Sequence, residues 1–201
     1  MQNDRARIAV FISGGGSNLQ SLMDASRDGR LCGEIAFVVS SNDTAYGLQR
    51  AGAAGIETFV YTPKRYPDKD AAVADLLAQL KQRRIDYIAL AGYLKMVPVA
   101  VLREFPKRVV NIHPALLPKY GGKGMYGHFV HEAVLCAKDK ESGVTVHIVD
   151  EIYDHGAILD QVRVPVMEND TADSLAARVL VEEHKLYWKV LDKLIKGEYQ
   201  L

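Results

Sequence analysis

Alternation constrains this chain more than any other feature. Short apolar runs of strand length are each followed by a stretch with helical spacing, and the pattern repeats through the first half. Arg7 to Ile12 reads as a strand and runs into Ser13-Gly14-Gly15-Gly16-Ser17-Asn18, after which Leu19, Leu22 and Met23 recur at helical intervals. Glu34 to Val39, Ile56 to Tyr61, Asp86 to Ala91 and Arg108 to His113 are further strands. Helices over Thr44 to Ala54, Asp70 to Arg83 and Val97 to Phe105 separate them. Such alternation means βαβ units, hence a parallel sheet with helices on both faces. The second half departs from it. Pro114 to Tyr126 is a loop rich in glycine and proline, and Gly127 to Lys138 is a helix. Val144 to Val149 and Ile158 to Val166 are two strands expected to pair antiparallel at one edge. A long helix starts at Asp170 or Thr171 and runs to about Lys196, with Gly197 as its C-cap.

Composition narrows the class of partner. The 201 residues carry 25 basic and 25 acidic side chains, so the formal net charge is zero. That argues against a protein whose main task is to coat nucleic acid or an anionic membrane. It leaves room for a small anion held by local N–H groups. A chain of this length buries about 70% of its unfolded surface and needs no staples. Cys32 and Cys136 are far apart and form no metal ribbon or disulfide scaffold, which points to the cytoplasm. No run reaches the roughly 18 apolar residues of a membrane span, and the polar start at 1–7 is unlike a signal peptide. The whole of 1–201 is expected to be one domain.

Three groups of residues could carry chemistry. The glycine loop after the first strand lies where parallel sheets bind ligands, at a helix N-terminus whose N–H groups favour anions. The alternative is a tight turn with Ser17 or Asn18 as an N-cap. The spacing is neither a P-loop nor a good dinucleotide fingerprint, since the third glycine position is Leu19. Asn111 and His113, at the end of the fifth strand, share a face. Asn offers N–H groups to a developing oxyanion, and His is the usual proton carrier near pH 7. An acid from the loop after the Val144–Val149 strand would raise the His113 pKa. Asp150, Glu151 and Asp154 all qualify, and spacing does not choose among them. His128 and His131, three apart on one helix, read as surface or packing residues, and His147 as core.

The stretches Ile12 to Leu19, Leu90 to Leu94, Asn111 to Pro118 and Gly143 to His147, in this order, resemble the phosphoribosylglycinamide formyltransferase family over nearly the whole chain. The resemblance implies a Rossmann-like formyltransferase fold, a mostly parallel twisted sheet of about seven strands with helices on both faces. It implies formyl transfer from 10-formyltetrahydrofolate to the amine of 5′-phosphoribosylglycinamide in purine synthesis, with no metal. By it, Asn111, His113 and Asp154 are catalytic. Gly16, Ser17 and Asn18 hold the substrate's phosphate, and Glu183 binds substrate. Leu94, Lys95, Met96, Val97, Asn111, Asp150 and Glu151 surround the folate, and Lys69 falls where the family has a ligand-contacting Arg.

Two segments depart from the family pattern: Tyr120 to His131 is unusually glycine-rich, and Asp154-His155-Gly156 stands where Asp-Gly-Gly is usual. The same trio occurs in methionyl-tRNA formyltransferase and a similar region in formyltetrahydrofolate deformylase. This length is expected to hold a catalytic domain without their RNA-binding or regulatory appendages. A phosphate-binding module without catalysis is the rival from another class. Two small molecules are the expected partners, with no nucleic acid and no membrane, and the chain is expected to be a monomer or homodimer.

Overall fold

The computed structural model describes residues 5–201; the polar start at 1–4, part of the reading above, lies outside them. Seven strands form one sheet in the order β3-β2-β1-β4-β5-β6-β7. The strands are β1 (Ala6–Ile12), β2 (Gly33–Ser40), β3 (Glu57–Val60), β4 (Tyr87–Leu90), β5 (Val109–His113), β6 (Glu141–Ile148) and β7 (Ile158–Pro165). The helices are α1 (Ser17–Arg27), α2 (Tyr46–Ala53), α3 (Lys69–Gln82), α4 (Val99–Glu104), α5 (His128–Cys136) and α6 (Ala172–Ile195). The first five strands pair in parallel. β6 runs antiparallel to β5, and β7 antiparallel to β6, as the sequence led us to expect.

Alternation in β1 splits the core in two. Ile8, Val10 and Ile12 face one way, onto apolar residues of α1, α2, α5 and α6. Ala9 and Phe11 face the other way, onto Leu76 and Leu80 of α3 and Val101 of α4. Both faces of the parallel part are therefore covered, which is why its strands read as continuous apolar runs. Tyr187 of α6 is fully buried, and its hydroxyl lies 2.9 and 3.1 Å from the carbonyls of Leu90 and Val110, at the ends of β4 and β5.

Two details differ from expectation. β6 begins at Glu141, because Glu141 and Ser142 pair with Pro165 and Val164 of β7 although neither is apolar. Pro63–Arg65 forms a single 3₁₀ turn that the sequence pattern did not reveal. Of the two starts expected for α6, Thr171 is the cap: its side chain accepts from Ser174 N–H while the Ser174 hydroxyl accepts from Thr171 N–H.

Candidate active site

A cavity of about 630 Å³ opens at the C-terminal ends of β4 and β5, with Asn18 of α1 in its lining. This is where a parallel sheet places its ligands, beside the switch between β1 and β4. One wall is apolar: the Leu94–Val97 segment after β4 and Val149, Ile152 and Tyr153 after β6. Asn18 from α1, Glu183 from α6 and the Gly122–Gly127 stretch give the rest of the lining a more polar character.

The floor is built by strand register. Asn111 and His113 sit two apart on β5, so both point into the cavity. β6 places His147 directly opposite Asn111. Asn111 Nδ2 lies 3.1 Å from His147 Nε2 and 3.3 Å from Asp154 Oδ1. His147 Nδ1 lies 2.8 Å from the Ile148 carbonyl, which can only accept. Nδ1 therefore carries the hydrogen, and Nε2 accepts from Asn111. His147 was read from the sequence as core packing. It is nearly fully buried, yet it is also the residue that holds the Asn111 amide. The signal was latent in the alternation of β6, but it becomes readable only once the antiparallel register is known.

Of the three candidate loop acids, Asp154 is the one that reaches the floor. Its Oδ2 lies 3.7 Å from His113 Nδ1 and accepts the Gly122 N–H at 2.9 Å. Burial pushes the Asp154 carboxyl up, but the groups around it, the Gly122 N–H among them, outweigh it and hold Asp154 below the usual carboxylate range. The glycine-rich Tyr120–His131 segment now has a reason. A Cβ on Gly121 would lie 2.6 Å from Leu117 Cδ2 and 3.2 Å from Asp154 Cβ, so a side chain there would have to push Leu117 and the acid aside. Gly156 is tighter still, since its Cβ would fall 1.9 Å from the Ile148 carbonyl oxygen. His155 fits because it points outward: it is largely exposed and meets Asp150 at 3.0 Å rather than the floor.

The expected rise in the His113 pKa is corrected. The ring is 3% exposed. Burial lowers its pKa below the ordinary histidine value, and this outweighs Asp154 and the Tyr120 carbonyl, which both raise it. The free imidazole is therefore neutral at pH 7. Its Nε2 lies 2.8 Å from the Tyr120 carbonyl, so Nε2 bears the hydrogen and Nδ1 is the basic nitrogen.

The glycine loop differs from the alternative reading. Gly16, with φ 72°, is the cap residue of α1, and no side chain caps the helix. Asn18 instead donates from Nδ2 to Glu183 Oε2 at 2.6 Å, across 165 residues of sequence. Burial raises the Glu183 pKa, opposed by the Asn18 bond. Of the phosphate-loop candidates, Asn18 lines the cavity, while Gly16 and Ser17 lie beyond its edge. Leu94, Lys95, Met96, Val97 and Asp150 line it. Lys69, the first residue of α3, and Glu151, which pairs with Arg103 at 3.7 Å, do not. Among the described residues no group of three or more His, Cys, Asp or Glu is arranged to hold a metal, and no helix is long and apolar enough to cross a membrane.

Comparison with known proteins agrees with this fold. A family model described as formyl transferase matches residues 6–191. Phosphoribosylglycinamide formyltransferase of Haemophilus influenzae is 38% identical over 97% of this chain and 90% of its own length. The chloroplastic enzyme of Vigna unguiculata is 46% identical over 94% of this chain. The chain spans only 61% of that relative's length, and 64% of the corresponding Arabidopsis thaliana protein. The crystal structure of glycinamide ribonucleotide transformylase 1 from Symbiobacterium toebii superposes with a TM-score of 0.92 at 38% identity, covering 100% of this chain and 92% of that one. A matching family model over almost all of the sheet, together with relatives matched nearly end to end, makes this chain a member of the formyl transferase family, within its phosphoribosylglycinamide formyltransferase branch.

Proposed function

We propose that this chain transfers the formyl group of 10-formyltetrahydrofolate to the amine of 5′-phosphoribosylglycinamide, releasing tetrahydrofolate, as a step of purine synthesis. One observation carries the reading. Asn111, His113 and Asp154 converge on the floor of a cavity whose lining is apolar on one wall and more polar elsewhere. The apolar wall of Leu94, Met96, Ile152 and Tyr153 suits a flat folate ring. The Asn18–Glu183 part, beside the uncapped α1 N-terminus, suits a phosphorylated amine.

The amine attacks the formyl carbon and the carbonyl electrons move onto oxygen. Asn111 stabilises that oxyanion with an N–H group. Its bond to Asp154, at 3.3 Å, is the longer of the two the amide makes and is the one it releases. His113 Nδ1, held neutral by burial, takes the proton from the attacking nitrogen. The imidazolium so formed faces the Asp154 carboxylate, which stabilises it. His113 then passes the proton to the departing folate nitrogen as the C–N bond breaks and the carbonyl re-forms. The reaction written this way needs no metal and no covalent enzyme intermediate. We read the chain as one catalytic domain acting in the cytoplasm as a monomer or homodimer on these two small molecules.

A single assay tests the reading. Tetrahydrofolate formation is followed with and without 5′-phosphoribosylglycinamide, and formate is measured in parallel. Amine-dependent transfer is expected. Formate release without the amine would assign a deformylase, and ligand binding without turnover would assign a binding module.

A further inference from the structure

We propose that Tyr120 and Asp139 form a latch that fixes which nitrogen of His113 carries hydrogen, making Tyr120 a positioning residue. The inference rests on the formyl-transfer reading for its catalytic consequence, but not for its geometry. Tyr120 makes two bonds in different directions. Its backbone carbonyl lies 2.8 Å from His113 Nε2, and its phenol donates to Asp139 Oδ2 at 2.7 Å. Between them its backbone sits at φ 58°, the left-handed region. A tyrosine stays there only when its surroundings hold it.

A carbonyl cannot donate, so Nε2 bears the hydrogen as long as the carbonyl points at it. Nδ1 is then the nitrogen left to take a proton, and it is the one facing Asp154. If Tyr120 relaxed toward an ordinary φ, its carbonyl would swing away and Nε2 would lose its acceptor. The neutral ring could then place its hydrogen on Nδ1, toward the Asp154 carboxylate, and Nδ1 would no longer be free to accept a proton. Asp139 lies just beyond α5, so the latch ties the loop to that helix. Lys119 also meets Asp139 Oδ2, which balances the carboxylate without touching His113. Three other titratable groups act on His113: Asp154 from the loop after β6, His147 from β6 and His131 from α5. Among the described residues, Tyr120 is the one whose carbonyl meets Nε2.

The test is Tyr120→Phe, which removes the hydroxyl and keeps the ring packed on the core. Nitrogen-15 NMR of the histidine rings, recorded without substrate, reads the tautomer. The unsubstituted protein is expected to show His113 with hydrogen on Nε2. Tyr120→Phe is expected to populate the Nδ1–H form and shift the acid limb of the kcat–pH profile. It should lower kcat about tenfold, the low end for one hydrogen bond to a charged group, and leave both KM values within about twofold. Asp139→Asn still offers the phenol an acceptor oxygen and is expected to keep the original tautomer. Asp139→Ala removes that acceptor and should behave as Tyr120→Phe does, which covers the case in which one variant fails to fold. An unchanged His113 tautomer in Tyr120→Phe and Asp139→Ala overturns the latch, even if kcat falls. A shifted tautomer in a protein that transfers no formyl group leaves the latch standing and removes the proposed reaction.

Discussion

At the scale of single residues, this site sorts its ionisable groups by what surrounds them. Asp154 stays charged because the Gly122 N–H and the Asn111 amide donate to it, and His113 stays neutral because burial disfavours its charged form. Removing the oxyanion donor or the proton carrier should therefore act on turnover. Asn111→Ala and His113→Ala are each expected to lower kcat by at least about 100-fold. Steady-state assays with both substrates check this, and near-normal turnover in either variant would dismiss the assignment. Glu183 gives a stability prediction of the opposite kind. Its folded pKa is raised above the unfolded value because it is buried. The stability it contributes is fully present below the unfolded pKa near 4.5, and it is lost as pH rises through the folded value. Glu183→Gln keeps an acceptor for Asn18 and never ionises. Its melting temperature is thus expected to exceed that of the parent above that window, with the gap closing toward pH 4.5. Thermal melts across pH would show this, and a gap independent of pH would contradict it. The same change should raise the KM for the amine substrate, since a carboxylate can no longer form.

At the scale of elements, the parallel half was legible because each strand is buried on both faces and announces itself as an apolar run. What stayed hidden depended on partners far away in sequence. Glu141 and Ser142 join β6 only because β7 extends the ladder beside them. His147 enters the site only through its register with Asn111. Spacing left Asp154 as one of three equal acids; the family resemblance named it, and its contacts with Gly122 and Asn111 show how it reaches the floor. Spacing named Asn111 and His113 from the period of one strand, but the charge on His113 depends on burial, which no local pattern encodes. The glycine loop shows how far local geometry can be tested. Gly16 has φ 72°, and a Cβ there would lie 2.7 Å from Gly47 Cα. Both strain and clash fall on backbone, so Gly16→Ala is expected to cost about 2 kcal/mol. In a chain of this size that is roughly 4–8 °C of melting temperature. A Cβ on Gly14 would meet nothing within 4 Å, so Gly14→Ala should stay within about 0.5 kcal/mol. Equal losses in both would place the constraint elsewhere than in this close approach.

At the scale of the whole molecule, the balance of 25 basic and 25 acidic residues leaves little net charge to steer an anionic substrate from a distance. Recognition then falls to devices within a few ångströms of the ligand. The uncapped end of α1 is one, and Arg50, which donates to the Gly15 carbonyl at 2.9 Å, brings a cation beside it. Screening separates local from distant charge, because the Debye length falls from about 10 Å at 0.1 M salt to about 3 Å at 1 M. A steered enzyme would lose association rate steeply over that range. Here kcat/KM for the phosphorylated amine is expected to fall less than about tenfold, and for the folate, which sits on the apolar wall, less again. Charge reversal at a remote exposed site such as Lys193→Glu should change either value by less than about twofold. Gly16→Ala should change the value for the amine by more than Lys193→Glu does. The decisive comparison is between those two variants at one salt concentration. If the remote reversal and the loop substitution weakened the amine reaction equally, the long-range field would matter after all, and local recognition at the α1 end would have to be given up.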